Sequence, residues 1–203
     1  MTIQYHGDAC VRLSGKYAER EFSVLVDPYD AKQTGLKPLR PSSVDLVLST
    51  TGELPSFGEG PYLIRGPGEY EACGVSVQGI PHNGGTIYRI VAEDVAIAHL
   101  GNASTALDDA AIDALGEVDV LFVPVGGHGV LTAVDAAALV ERVEPRIIVP
   151  IQYAVADSSL PYDRLDAFCK EMGCSEKDAE EKLKLSKKDL PGDEMWVKVL
   201  QVE

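Results

Sequence analysis

The sequence predicts a mixed α/β fold, and three observations predict it. The first half of the chain is a series of short apolar runs broken by Gly, Pro and Asp, the pattern of strands and turns. The second half alternates helix-like segments with continuous apolar runs, the pattern of helix–strand units. The chain has 203 residues, of which 45% are apolar and 25% charged, long enough to bury one substantial core and short for two. One domain over residues 1–203 is therefore expected.

The early strands are expected at residues 10–13, 22–26, 44–48, 62–64, 74–80, 86–91 and 95–100. Asp27-Pro28-Tyr29 ends the second of these in a turn. Residues 107–115 have helical spacing and follow the candidate caps Ser104 and Thr105. Residues 118–125 form a continuous apolar run, as in a strand covered on both faces. Residues 134–143 read as an Ala-rich helix capped by Thr132, and 146–151 as another buried strand. Residues 162–172 are amphipathic, with Leu165, Phe168 and Cys169 on one face, and 196–202 close as a strand. Residues 30–43 and 51–61 read as flexible connections, and the charged stretch 175–188 as a solvated helix and loop.

Eighteen basic side chains against 32 acidic ones give a net charge of −14. Such a chain repels phosphate backbones, so nucleic-acid binding is not expected. No apolar run approaches the roughly 18 residues that cross a bilayer. Met1-Thr2-Ile3-Gln4-Tyr5-His6 lacks the basic stretch and apolar core of a signal peptide, so a cytoplasmic location is expected and a membrane partner is not. Cys10, Cys73, Cys169 and Cys174 form no Cys-x-x-Cys pair and read as unpaired thiols.

Three apolar runs end in polar residues that a sheet would bring together. The first leads to Ser49, Thr50, Thr51 and Glu53, the second to Gly101 and Asn102, and the third to Gln152 and Tyr153. Loops at the carboxyl ends of strands open into crevices, so a polar pocket is expected there. Other apparatus is missing: the chain has no Gly-x-Ser-x-Gly elbow, phosphate loop or Gly-x-Gly-x-x-Gly stretch. Gly66-Pro67-Gly68 and Gly126-Gly127 read as turns, His6 and His99 as residues packed beside strands, and His128 as a loop residue.

An ordered series of landmarks adds to this reading. It runs Tyr5-His6-Gly7-Asp8-Ala9-Cys10, Asp27-Pro28, Asp45-Leu46-Val47-Leu48-Ser49-Thr50 and Gly66-Pro67-Gly68-Glu69-Tyr70-Glu71. It continues through Thr86-Ile87-Tyr88, His99-Leu100-Gly101-Asn102, Val118-Asp119-Val120, Pro124-Val125-Gly126-Gly127 and Pro145-Arg146-Ile147-Ile148-Val149-Pro150, to the tail Leu190-Pro191-Gly192-Asp193-Glu194. Over nearly its whole length the chain resembles the metallo-β-lactamase superfamily, in its branch of uncharacterised metal-dependent hydrolases. The resemblance implies a four-layer αββα sandwich with its site at the edge between two sheets. It also implies a His-x-His-x-Asp-His motif on two metal ions.

Departures from that pattern fall at the ligand positions. Thr51, Glu53, Pro55 and Ser56 stand where the resemblance places the motif's four ligands. Asn102 takes the place of the bridging aspartate and Gln152 that of a late histidine, while Asp8 replaces a histidine often found near the site. His82, after Ile80-Pro81, matches a further ligand histidine loosely. Zinc favours imidazole and thiolate donors, and neutral amides replace them poorly. Without a metal, water keeps a pKa near about 15.7 and attacks feebly at neutral pH.

The expectation is therefore a protein with no metal cofactor. Its degenerate pocket comprises Asp8, Thr51, Glu53, Ser56, His82, Asn102 and Gln152, with no catalytic residue among them. It would act as a binding, regulatory or assembly protein, on a small ligand or a protein such as a paralogue or second copy. The alternative is a hydrolase with an atypical site. There Asp8 and Glu53, with the amide oxygens of Asn102 and Gln152, would offer oxygen ligands to Mg²⁺, Ca²⁺ or Mn²⁺, or Glu53, Asp8 and His82 would act without a metal.

Overall fold

Alternate residues of β1 (Thr2–Gly7) are buried, so Ile3, Tyr5 and Gly7 share one face while Gln4 and His6 lie on the other. The computed structural model describes residues 1–39, 43–55, 60–192 and 194–203. β1, β2 (Cys10–Tyr17) and β3 (Arg20–Val26) form an antiparallel meander. β4 (Leu46–Leu48) and β5 (Tyr62–Ile64) then add in parallel beside β3. A late strand, β12 (Leu183–Lys184), pairs with the free edge of β1.

The second sheet opens with antiparallel β6 (Gly68–Ala72), β7 (Val75–His82), β8 (Gly85–Ala92) and β9 (Val95–His99). It continues in parallel through β10 (Val120–Pro124), β11 (Ile147–Ile151) and β13 (Trp196–Val197). Every residue of β9, β10 and β11 is buried, as expected where a parallel sheet is covered on both faces. The crossovers are α2 (Asp109–Leu115), between β9 and β10, and α3 (Ala133–Val143), between β10 and β11. α4 (Asp166–Met172) packs on α3. The short α1 (Ala31–Thr34) belongs to the segment joining β3 to β4. Two mixed sheets flanked by helices make the expected αββα sandwich.

The main core joins both sheets and the crossovers, with Tyr5, Leu13, Val24, Ile97, Phe122, Leu139 and Phe168 among its members. A separate cluster joins Cys10, Leu25 and Val47 of the first sheet to Tyr29 and Leu39. These two residues flank α1 and cover that side of the sheet.

α3 starts where its cap predicts: the Thr132 side chain accepts from the Asp135 amide, and Ala136, Leu139 and Val140 form its buried stripe. Elsewhere the local chemistry moved the boundaries. α2 is capped by Asp108, which accepts from the Ala111 amide, and not by Ser104 or Thr105. Tyr162 lies outside a helix, held by side chains from two other loops, so α4 begins only at Asp166. The strand expected over 196–202 pairs with β11 for two residues only. The segment read as solvated, 175–188, holds two short 3-10 turns and β12, because Leu183 and Leu185 alternate into the core.

The cysteines depart from expectation. Cys169, in the middle of α4, and Cys174, just past its C-cap, form a disulfide across the left-handed Gly173, with Cα atoms 4.5 Å apart. Cys10 and Cys73 are free thiols.

Candidate functional site

The carboxyl ends of β4, β9 and β11 and the turn between β1 and β2 meet at one edge of the sandwich. Asp8 sits in that turn with φ of 52°, and Gln152, just after β11, has φ of 53°. Such left-handed conformations cost a non-glycine residue energy and persist where neighbours over-determine them. Here the backbone supplies the hold: the Gln152 amide donates to the Asp8 carbonyl at 3.0 Å and to the Tyr5 hydroxyl at 3.2 Å. The Tyr5 hydroxyl in turn donates to the Asp8 carbonyl at 2.8 Å.

Side chains close a network around this frame. Gln152 is fully buried, and its Nε2 lies 2.6 Å from Asn102 Oδ1, 3.1 Å from Asp8 Oδ1 and 3.0 Å from the Tyr162 hydroxyl. Tyr162 donates to the same Asp8 oxygen at 3.0 Å. Burial and the neighbouring Asp8 carboxylate push the Tyr162 phenol above its ordinary pKa, so it stays a donor. Gln152 Oε1 is buried without a partner among the described residues.

Thr51, His82 and Asn102 line a cleft of about 200 Å³ beside this network, with the β7–β8 turn and the loop after β9 as its other walls. The turn is tied to that loop by His82 Nε2, 3.3 Å from the Thr105 carbonyl, and by Asn83, which bonds the Thr105 hydroxyl. The floor at Thr50 is fixed from below: Asp27 accepts from the Thr50 amide and hydroxyl, both at 2.7 Å. Gly101, with φ of 51°, packs so closely on the Thr50 side chain that no Cβ fits.

Under this floor lie two titratable groups. Burial raises the Asp27 carboxyl to about 7 and lowers the His99 imidazole to about 4. His99 Nε2 lies 3.0 Å from the Ala9 carbonyl, while Nδ1 accepts from the Gly101 amide. Neutral His99 satisfies both bonds, with the proton on Nε2. His99 thus packs beside its strand, and the exposed His128 lies 3.3 Å from Asp163 in a loop.

The predicted site residues therefore divide. Asp8, Asn102 and Gln152 are hydrogen-bonded together, and Asn102 shares the cleft with Thr51 and His82. The Glu53 side chain is exposed and has no bond to Asp8, Asn102 or Gln152 among the described residues; its carbonyl accepts from Ser49. Ser56 lies outside the described residues. Sequence reasoning missed Tyr162 and Tyr5 in the network, and Asn83 and Ser104 in the cleft. A tyrosine after Pro161 in a polar connection gives a faint signal, and Tyr5 looks like an ordinary core residue.

Residues 2–152 match the family described as a beta-lactamase superfamily domain. The chain is 25% identical to a UPF0173 protein of Pyrococcus abyssi over 185 residues, covering 75% of this chain and 83% of that one. It is 34% identical over 67 residues to a UPF0173 metal-dependent hydrolase of Pyrococcus horikoshii, a stretch spanning 32% of this chain and only 30% of that relative. Among solved structures it is similar to a Thermotoga maritima protein of the metallo-beta-lactamase superfamily, named for zinc-dependent hydrolysis. The two share 21% identity and a TM-score of 0.77, covering 99% of this chain and 100% of the other.

These comparisons correct one expectation. A relative named a metal-dependent hydrolase and a similar structure named for zinc point to metal cofactors rather than to none, and overturn the expectation of a protein without one. The residue-by-residue substitution of ligands was too narrow a basis for it. The described residues nonetheless do not fit a two-metal centre of the implied kind. No group of three or more His, Cys, Asp or Glu converges among them. The carboxylate nearest the cleft network, Asp8, has Oδ1 bound to Gln152 and Tyr162.

Proposed function

Because the chain belongs to the beta-lactamase superfamily domain family, we propose that it serves as a binding or regulatory member of that family rather than as a two-zinc hydrolase. One observation carries the reading. Gln152 donates toward Asp8 and Asn102 and so ties together two positions where the resemblance places metal ligands, its own and that of Asn102, with Asp8 beside them. With Asp8 Oδ1 engaged by Gln152 and by a protonated phenol, these groups are held as a structural wall of the cleft. The partner is a small ligand held in the cleft, or a protein, such as a paralogue or second copy, that reads the ligand's presence.

The test is to purify the chain without a histidine tag, measure its metal content, and assay it on phosphodiester, lactone and thioester substrates with Zn²⁺, Mn²⁺ and Mg²⁺. Uniformly flat turnover with saturable ligand binding supports the proposal. Turnover that disappears in both Asp8→Ala and His82→Ala defeats it. That result would promote the second reading, a metal-dependent hydrolase, which the name of the Pyrococcus horikoshii relative favours.

A further inference from the structure

Among the described residues the cleft beside the Gln152 network has no acidic, lysine or arginine side chain in its lining, in a chain of net charge −14. Among the described residues its polar lining is hydroxyl, amide, imidazole and backbone, and no Asp, Glu, Lys or Arg contributes. Three of its groups make no hydrogen bond to another described residue and stand open to an incoming partner: the amide nitrogen of the exposed Asn102, the hydroxyl of the exposed Ser104 and the Nδ1 of the half-buried His82. The Asn102 oxygen is already engaged by Gln152, so that side chain has only its donor to offer. Ser104 both donates and accepts, and His82 does one or the other according to tautomer. Thr51 adds an exposed hydroxyl at the rim.

Charge decides which ligands this lining rejects. An anion would approach against the field of the whole chain and find no cation in the cleft. A cation would lose hydration there with no carboxylate among the described lining residues to replace it. A ligand hydroxyl suits the site better, because it donates and accepts as the unpartnered groups require. Size narrows the class further. The cleft of about 200 Å³ is smaller than the roughly 300–1,000 Å³ of sites for drug-sized ligands.

From this lining we infer that the cleft binds a small neutral polyhydroxyl compound, a polyol or a single sugar ring, through Asn102, Ser104, His82 and Thr51. The inference rests on the binding role proposed above and names its ligand class.

The probes are myo-inositol, D-glucose and glycerol against inorganic phosphate, acetate and ammonium, titrated into isotopically labelled protein and followed by amide chemical shifts. Saturable shifts are expected with at least one neutral polyol, confined to Thr51, Asn83, Gly84, Asn102 and Ser104. Inorganic phosphate, acetate and ammonium should leave those resonances in place. Ser104→Ala should weaken the polyol about fivefold, the loss of one neutral hydrogen bond. Ser175→Ala, in the segment after α4 and outside the cleft lining, should leave the affinity unchanged and controls for solvent effects of sugars on stability.

Saturation by phosphate instead, or no saturable shift with any polyol, overturns the ligand class. The binding role would survive the first of those results. Turnover lost in Asp8→Ala and His82→Ala would instead defeat the role itself, so the two failures are distinguishable.

Discussion

Replacing Asp27 by Asn changes how stability responds to pH, and its pairing with the buried His99 under the cleft sets the size of the change. In the folded chain Asp27 titrates at about 7 and His99 at about 4, against ordinary values of 3.8 and 6.5. The raised Asp27 value contributes stability that is fully present below 3.8 and lost as pH rises through about 7. The lowered His99 value contributes stability present above 6.5 and lost as pH falls through about 4. Between about 4 and 6.5 the unfolded pair carries one proton on the imidazole and the folded pair one proton on the carboxyl. The counts match, so the pair adds no slope there.

Asp27→Asn removes one half of that balance. The folded variant then holds one proton fewer than the unfolded chain, and its stability falls as pH falls. From 6.5 down to about 4 is about 2.5 units. At about 1.4 kcal/mol per unit, the variant loses about 3 kcal/mol relative to wild type across that window. Urea midpoints of both proteins, measured at a series of pH values, give the difference directly. Parallel curves would refute the reasoning, because they would mean that Asp27 is ionised in the folded chain at pH 5.

Three further outcomes are expected. Reducing Cys169–Cys174, with its separation of 5 residues, should cost about 2 kcal/mol by loop-closure entropy, seen as a lower urea midpoint in dithiothreitol that Cys169→Ser/Cys174→Ser reproduces without it. Gly101→Ala combines a positive φ with a blocked Cβ against Thr50 and should cost about 2 kcal/mol or more, whereas Gly173→Ala, left-handed with nothing within 4 Å, should cost about 1 kcal/mol by denaturation. Gln152→Leu leaves Asp8, Asn102 and Tyr162 without their shared donor and should cost about 1–3 kcal/mol; an unchanged midpoint would show that the network does not hold these loops.

Residues whose partners are near in sequence were the legible ones. The alternation at Gly74–Ile80 and the continuous run around Val120–Pro124 gave their strands because period and burial are local signals. Thr132 gave the start of α3 because the cap and its amide lie three residues apart. β12 was missed because Leu183 and Leu185 sit among charges, and only pairing with β1 at the other end of the chain makes Leu183–Lys184 a strand.

The same distinction holds at the site. Asn102 and Gln152 stood out because each ends a buried run. Tyr162 did not, since its partners Asp8 and Gln152 lie 154 and 10 residues away and only the fold joins them. Glu53 was placed in the pocket by its position in a motif. A loop position sets where a Cα falls, not whether a charged side chain turns inward, and water claims this one. The disulfide was overlooked because a spacing of 5 is no recognised motif, although a helix end followed by glycine turns the chain back on itself.

The satellite cluster of Cys10, Leu25 and Val47 under Tyr29 and Leu39 has its own consequence. Its side chains are separate from the main core, so the segment above them can lift without disturbing the interior between the sheets. Amide exchange across residues 29–39 would then follow a cheaper, partial opening than exchange in β10 or β11. A protease is therefore expected to cut within this flank of the first sheet before it reaches the second.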